Sequence, residues 1–398
     1  MQVDQAWWRV VLMVTDELVA SDVAYCLIED AALLAQGVDL PQLPPVTIAI
    51  QWDAFAAVHQ RALAQGAGPI RDAGRSAAFD LLREGVPVQL VCYRNTVVEA
   101  DPQRVLVEHA GHAVWVKSLL FYLRHWPVEN PRIQAIGRRL RTIQRELNRT
   151  NAAAWNQQAY AAWEERHGRP AELAARIKAQ PAARLAALQP WLGDVVGCKI
   201  INLLGSQGIK AVALALLGAD VTVVDIADDN ARYGLELARA ANVTIRYIVA
   251  DVLALPEAEL VAAYDIVLLE LGILHYFVDL QPLALVVLRL LRTGGRLVLQ
   301  DFHPVSTKLI TSKGRKHKVT GNYFDQALHE VDVAYTKHLE QGNGPGSARV
   351  WQRRWTLGEI VTAFAAVGLC VCELAEEPNT KLDDIGLPKT FTLVARKP

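Results

Sequence analysis

The 398-residue chain is poor in sulfur, with five cysteines and two methionines, and its aromatic fraction is only 7%. Cys26, Cys92, Cys198, Cys370 and Cys372 are scattered and odd in number, which argues against a disulfide framework. Metal-ligand spacing is absent apart from Cys370-x-Cys372, and strand alternation puts that pair on one face of an apolar run. All five are therefore expected as reduced core residues, and no metal is expected. Charge of one sign is also lacking: 41 basic against 42 acidic side chains leave a formal −1. Nothing global draws the chain to nucleic acid or an anionic membrane. No apolar stretch approaches the roughly 20 residues of a membrane span. The opening MQVDQAWWRVVLMVTDEL carries acids where a secretory leader has a basic head, so a cytoplasmic location is expected.

The length favours two globular units. From Pro131, the run PRIQAIGRRLRTIQREL sets Ile133, Ile136, Leu140, Ile143 and Leu147 at helical spacing, with arginines on the other faces. A boundary near residue 130 follows, giving units 1–130 and 131–398. Upstream, helices are expected over Trp7 to Leu18, around Asp30 to Gln36 and from Asp53 to Gln65. Val46 to Ile50 and VPVQLVCY read as strands, so the first unit is a small α/β domain. Downstream, apolar strands at Lys199 to Leu204, Asp220 to Val224, Thr244 to Val249, Asp265 to Leu269 and Arg296 to Leu299 alternate with helical stretches. That alternation implies a parallel sheet with helices on both faces.

Within this unit, INLLGSQGIKAVALALLGADVTVVD reads as strand, turn, helix and strand. Gly205, Ser206 and Gly208 sit where a helix N-terminus exposes unpaired N–H groups to a ligand. The turn lacks the full G-x-G-x-x-G of nicotinamide-binding folds. The next strand ends in Asp225, where a carboxylate can accept both hydroxyls of a ribose. IVAD brings Asp251, and DIVLLE brings Glu270 with Gly272, to the same edge of the sheet. Single acids after strands often do no more than cap helices. Four consecutive strand ends carrying glycine or acid point instead to a ligand site.

The order of these features resembles the class I S-adenosylmethionine-dependent methyltransferases over about residues 150 to 398. That resemblance implies a Rossmann-like, mostly parallel seven-stranded sheet with an antiparallel edge strand, behind the smaller α/β domain. Asn202 stands where the family's first strand carries an acid, and Leu204 and Ser206 replace its first two turn glycines. The resemblance implies S-adenosylmethionine as cofactor and S-adenosylhomocysteine as product. Asp225 and Ile226 would hold the ribose, Asp251 and Val252 the adenine, and Glu270 and Leu271 the methionine side. RTGGRLVLQDF, RRWTLGEIVTAFAAVGL, LCVCEL and TFTLVARK resemble the family's later strand, last long helix and closing strand pair. NAAAWNQQAYAAW resembles the lead-in helix of small-molecule methyltransferases, in which Trp155, Asn156 and Tyr160 would close over the cofactor. An aromatic face also attracts a sulfonium cation.

Methyl transfer is an in-line displacement, for which placing the nucleophile and excluding water matter most. A hydroxyl or amine acceptor gains from a general base, and His275 and His303, both at strand ends, are the candidates. Tyr276, beside the first of them, is expected to contact substrate. The polar stretch from Pro304 to Trp355 reads as an insertion over the sheet mouth, with Tyr323, Trp351 and Arg354 as substrate contacts. Its SKGRKHKV run (Lys313, Arg315, Lys316, Lys318) would suit an acidic acceptor or simply be solvated.

In the first unit, YCLIEDAALL, VTIAIQWDAF and REGVPVQLVCY resemble the nucleotidyltransferase core. Glu29 and Asp30 stand at its first turn, Thr47, Ala49 and Gln51 on the central strand and Gln89 at the third acid position. This set lacks the carboxylates that Mg²⁺-dependent transfer requires. A recognition or homo-oligomerisation role is expected, with Asp53 as a helix cap. The leading expectation for the whole is methylation of a small molecule. The alternatives are a silent binding or regulatory protein, and an NAD-dependent oxidoreductase.

Overall fold

The period-two patterns of the first unit fold as strands and its amphipathic runs as helices. The computed structural model describes residues 5–313, 316–339, 348–379 and 386–398. Two compact units, Met1–Ile143 and Gln144–Pro398, divide the chain. The division falls inside the helix that begins at Pro131.

The first unit runs α1 (Gln5–Ala20), β1 (Tyr25–Leu27), α2 (Glu29–Ala35), β2 (Val46–Ile50), α3 (Phe55–Leu63), β3 (Arg71–Asp72), β4 (Ser76–Arg83), β5 (Val86–Tyr93), β6 (Arg104–His109), β7 (His112–Lys117) and α4 (Leu119–His125). Its sheet has the order β3-β4-β5-β2-β1-β7-β6. The β4–β5 hairpin turns through Glu84 (φ 48°) and Gly85 (φ 80°), the paired left-handed residues that match strand twist. Glu29 holds φ 55°, and its N–H donates to Tyr122 Oη at 2.5 Å. Asp30 pairs with Arg132, Gln51 accepts from Val98 N at 3.0 Å, and Gln89 donates to Asp80 at 3.0 Å. Asp53 does not cap α3: the helix begins at Phe55, and Ala54 occupies the cap position without a side-chain bond.

The second unit continues with α5 (Pro131–Trp155, shared across the division), α6 (Ala159–His167), α7 (Pro170–Ala179), α8 (Gln189–Leu192), β8 (Lys199–Leu203), α9 (Ile209–Leu216), β9 (Asp220–Asp225), α10 (Asp228–Ala241), β10 (Arg246–Val249), β11 (Tyr264–Glu270), α11 (Gln281–Leu290), β12 (Leu291–Phe302), β13 (Ile310–Lys313), β14 (Lys316–Val319), β15 (Leu328–Asp332), β16 (Arg349–Arg353), α12 (Leu357–Ala366), β17 (Cys370–Pro378) and β18 (Pro388–Arg396). Its main sheet is seven-stranded, in the order β10-β9-β8-β11-β12-β18-β17. β10 to β12 run parallel, and β18 runs antiparallel to both of its neighbours. The antiparallel strand thus stands one place in from the edge, with β17 outside it.

Alternate residues of adjacent strands (Ile200, Val221, Val223, Ile266, Leu268, Val298) share one core with buried residues of α6, α7, α9 and α10. Cys26 and Cys92 are buried, but Cys370 and Cys372 are exposed and Cys198 lies between. The core expectation fails for the Cys370–Cys372 pair because β17 is the sheet edge, where strand alternation alone does not supply a covering layer. The insertion after Pro304 forms two antiparallel hairpins, β13–β14 and β15–β16. Arg315 of its basic run lies outside the described residues. Among the described residues, no helix is long and apolar enough to cross a membrane.

Candidate active site

At the end of β8 the chain makes a left-handed turn: Leu204 has φ 51°, Ser206 φ 49° and Gly208 φ 70°. Leu204 and Ser206 are the two positions at which the methyltransferase resemblance expects glycine. The conformation is thus kept without the residue that adopts it freely. Backbone bonds hold it, since Gly205 N donates to Val224 O at 3.2 Å and Gly208 N to Gly205 O at 3.1 Å. Ser206 N donates to Asp225 Oδ2 at 2.9 Å, and Tyr247 Oη to Ser206 O at 2.5 Å. Gly205 itself is required by packing, because a Cβ there would stand 2.7 Å from both Asn202 Oδ1 and Val223 Cγ1. Asn202, fully buried, donates to Leu268 O at 3.3 Å. Its Oδ1 finds no hydrogen-bond partner among the described residues.

Beside the turn, β9 ends in Asp225, which is only 8% exposed. Besides Ser206 N, its carboxylate accepts from Ala227 N and Asn230 Nδ2, each at 3.0 Å. Burial raises its pKa against the opposing effect of these donors and of Ile226 N–H. Asp251 follows β10 and accepts from Leu253 N at 2.9 Å and Asn148 Nδ2 at 2.7 Å, with Val252 buried next to it. On the other side of β8, Glu270 ends β11 and pairs with Lys210 of α9. Leu271 (φ 39°) and Gly272 (φ 81°) then reverse the chain.

That reversal is fixed by Asp301 near the end of β12. Its buried carboxylate accepts from Gly272 N at 2.6 Å, Phe302 N at 2.7 Å, Leu274 N at 3.2 Å and Ile273 N at 3.4 Å. The turn presents His275 and Tyr276, whose rings meet edge to face at 4.3 Å. His275 lines a cavity of about 280 Å³ together with Leu274, Phe302, Arg354, Trp355 and Phe391. Its Nε2 has no hydrogen-bond partner among the described residues, and burial, reinforced by Arg354, lowers its pKa to about 3. The ring is therefore neutral at ordinary pH. His303 is 3% exposed, and both of its nitrogens are engaged: Nδ1 accepts from Val305 N at 3.1 Å, and Nε2 meets Glu376 at 2.6 Å.

Trp155 Nε1 donates to Tyr276 Oη at 3.2 Å, which brings the lead-in helix to the loop after β11. Tyr160 turns elsewhere, donating to Glu236 at 2.6 Å under the Arg232 guanidinium, against α10. Asn156 accepts from Asp229 N at 3.3 Å. Of the expected substrate contacts, Arg354 reaches the cavity, Tyr323 Oη accepts from Leu357 N at 3.1 Å, and Trp351 pairs through its backbone with Asn151.

Several residues escaped the sequence reading. Gln144, Asn148 and Asn151 form an amide stripe on α5. Gln144 bridges Tyr276 O and Val278 N, each at 2.8 Å, Asn148 holds Asp251, and Asn151 holds Trp351. Their i, i+4, i+7 spacing was a legible signal. Asp301 was a further acid at a strand end, and Lys210 a cation in the first turn after the glycines.

Sheet order and mouth together define a Rossmann-like α/β fold, with the turn after β8 and the acidic ends of β9 and β11 gathered at one edge of the sheet. Residues 204–299, from the turn into β12, match the family model described as Methyltransferase domain. Similar solved structures include an S-adenosylmethionine dependent methyltransferase from Mesorhizobium loti, 20% identical, covering 54% of this chain and 98% of that one at TM-score 0.43. Another is magnesium protoporphyrin IX methyltransferase from Synechocystis PCC 6803 with bound SAH, 15% identical, covering 63% and 99% at TM-score 0.39. A third is an S-adenosylmethionine-dependent methyltransferase from Clostridium acetobutylicum ATCC 824, 12% identical, covering 55% and 91% at TM-score 0.39. No curated protein matches the chain significantly.

Proposed function

We propose that the chain transfers a methyl group from S-adenosylmethionine to a small-molecule acceptor. The observation that carries this reading is the left-handed turn at Leu204, Ser206 and Gly208, set between Asp225 on one side and Glu270 on the other. That set fits the group: carboxylates for ribose hydroxyls and an ammonium, around a left-handed turn that leads into the N-terminus of α9. Asp225 and Ile226 would take the ribose, Asp251 and Val252 the adenine, and Glu270 and Leu271 the methionine. When bound, the cofactor supplies a methyl group on a sulfonium.

The chain's own part is placement and proton handling. Trp155 and Tyr276, hydrogen-bonded to each other, would shield a bound cofactor from water. The cavity beside His275 is of a size for a small molecule, and its aromatic walls favour an apolar body with a polar group. In this reading His275 Nε2, unpartnered among the described residues and lining the cavity, would accept the proton that a hydroxyl or amine releases as its lone pair attacks; its pKa of about 3 makes it a weak base that receives the proton only as the attack proceeds. His303, bonded at both nitrogens, ties the end of β12 to β17 across the intervening β18 in this reading. The test is calorimetric titration with S-adenosylmethionine, S-adenosylhomocysteine and NAD in parallel, followed by an acceptor screen. Binding of the first two alone supports the proposal, and binding of NAD alone overturns it.

A second reading, of a protein that binds without turnover, takes its support from Asp225. The carboxylate already serves Ser206, Ala227 and Asn230, so ribose hydroxyls must compete with the protein's own donors. It predicts cofactor binding with no methylated acceptor.

A further inference from the structure

The insertion between β12 and α12 brings a cation to the cavity beside His275. β16 ends at Arg353, and the next two residues, Arg354 and Trp355, line that cavity. The two neighbouring arginines are used differently. Arg353 is buried and pairs with Glu359 at 2.9 Å, its guanidinium 3.5 Å from the centre of the Trp355 ring. Lys308 is buried as well, donating to Asp325 O at 2.6 Å and Arg354 O at 2.7 Å; burial disfavours its charge, and Glu359 and Asp325 favour it. Arg354 is exposed. Its Nη1 donates to Thr307 O at 2.6 Å, and it forms no ion pair among the described residues. Asp301, the acid among the lining residues, is already engaged by four backbone N–H groups.

The cavity thus has two polar groups of unlike character. On the solvent side Arg354 offers a guanidinium without a counter-ion, and inside His275 offers a buried Nε2 without a partner among the described residues. Leu274, Phe302, Trp355 and Phe391 supply apolar lining, and the Trp355 ring is held by its Nε1 donating to Leu274 O at 2.9 Å. The volume, about 280 Å³, exceeds the roughly 150 Å³ that takes a benzene ring.

We propose that the acceptor is a small carboxylic acid built on a ring, its carboxylate paired with Arg354 on the solvent side and its ring against Phe302, Trp355 and Phe391, so that its hydroxyl or amine is turned towards His275. This rests on the methyltransferase reading and adds the acceptor's charge to it. A planar guanidinium meets a carboxylate with two parallel N–H groups, and Thr307 occupies only Nη1. A carboxylate left at an exposed site keeps part of its hydration, so bringing it there costs little. A neutral amide of the same shape gains no charge pairing. The bound anion also bears on His275. Arg354 adds to the burial that lowers that imidazole, and an anion at Arg354 offsets its contribution, which makes His275 a better base with the acceptor present than without it.

The test is isothermal titration of the full chain, first with S-adenosylhomocysteine and then, at saturation with it, with the isomeric hydroxybenzoates and the matching hydroxybenzamides, which keep ring and hydroxyl but carry no charge. At least one hydroxybenzoate should bind about tenfold or more tighter than its amide. Arg354→Gln should erase that preference by weakening the acid and leaving the amide unchanged. Arg354→Lys, which keeps the charge without the fork, should restore part of it. The ratio of acid to amide within one variant is insensitive to general damage to the fold. Amides that bind the unaltered protein as tightly as the acids, an unchanged ratio in Arg354→Gln, or failure of every acid to bind overturns the acceptor class, while S-adenosylhomocysteine binding leaves the cofactor reading standing. Failure of S-adenosylhomocysteine to bind overturns the methyltransferase reading, and the acceptor class with it.

Discussion

Replacing Ser206 by glycine should stabilise the protein. Ser206 holds φ 49° in a turn whose bonds are made by its backbone, its N–H to Asp225 and its carbonyl to Tyr247. Those bonds survive the substitution. For an L-residue the left-handed conformation costs about 1–2 kcal/mol, a strain that glycine does not carry. Against it stands glycine's larger loss of freedom on folding, about 0.5–1 kcal/mol. The net gain is about 1 kcal/mol, or roughly 2–4 °C in melting temperature for a unit of this size. Ser206→Ala is the control, since it removes the same hydroxyl and keeps the Cβ. Thermal unfolding of both variants beside the parent separates the effects: glycine should melt above parent and alanine at or below it. If Ser206→Gly melts no higher than Ser206→Ala, the strain argument is wrong, and with it the view that this turn keeps a glycine geometry without glycine.

Asp225→Ala should weaken S-adenosylhomocysteine binding tenfold or more, and by leaving Ser206 N, Ala227 N and Asn230 without their acceptor it should also cost about 1–3 kcal/mol of stability. Calorimetry and melting read the two effects separately, and unchanged affinity would refute the ribose assignment. Asp301→Ala strips four backbone N–H groups of one acceptor and should lower the melting temperature more than Asp301→Asn, which keeps an acceptor oxygen. Equal melting of the two would show that the loop after β11 does not depend on it. His275 protonates near pH 6.5 when unfolded but only at about 3 in the fold. The unfolded chain therefore binds the extra proton between those values; the contribution is complete above pH 6.5 and is lost as pH falls towards 3. His275→Gln should lose stability less steeply over that window, and parallel pH–melting curves would refute the burial argument.

Strand-end chemistry was legible because it depends on sequence order alone. Once VTVVD, YIVAD and IVLLE are read as parallel strands, Asp225, Asp251 and Glu270 must share an edge. The turn was only half legible. Leu204 and Ser206 gave no glycine signal, and the backbone conformation they hold is imposed by neighbours remote in sequence, Val224, Asp225 and Tyr247. The length of α5 was hidden in the same way. NRTN, with two asparagines and a threonine, has weak intrinsic helix preference and reads as a break between two helices, yet Asn151 bonds both the N–H and the carbonyl of Trp351, 200 residues away, and one helix runs on to Trp155. Cys370 and Cys372 misled because alternation shows which side chains share a face but not whether anything covers that face.

The amide stripe of α5 decides where the second unit can be cut free. A recombinant fragment beginning at residue 150, where the methyltransferase resemblance starts, would keep every strand of the main sheet and lose Gln144 and Asn148. The carbonyl of Tyr276, the N–H of Val278 and the carboxylate of Asp251 would then turn to solvent. The loop that carries His275 would lose its anchor while the sheet beneath it stayed whole. Such a fragment would keep the sheet yet be a poor guide to what the intact protein binds.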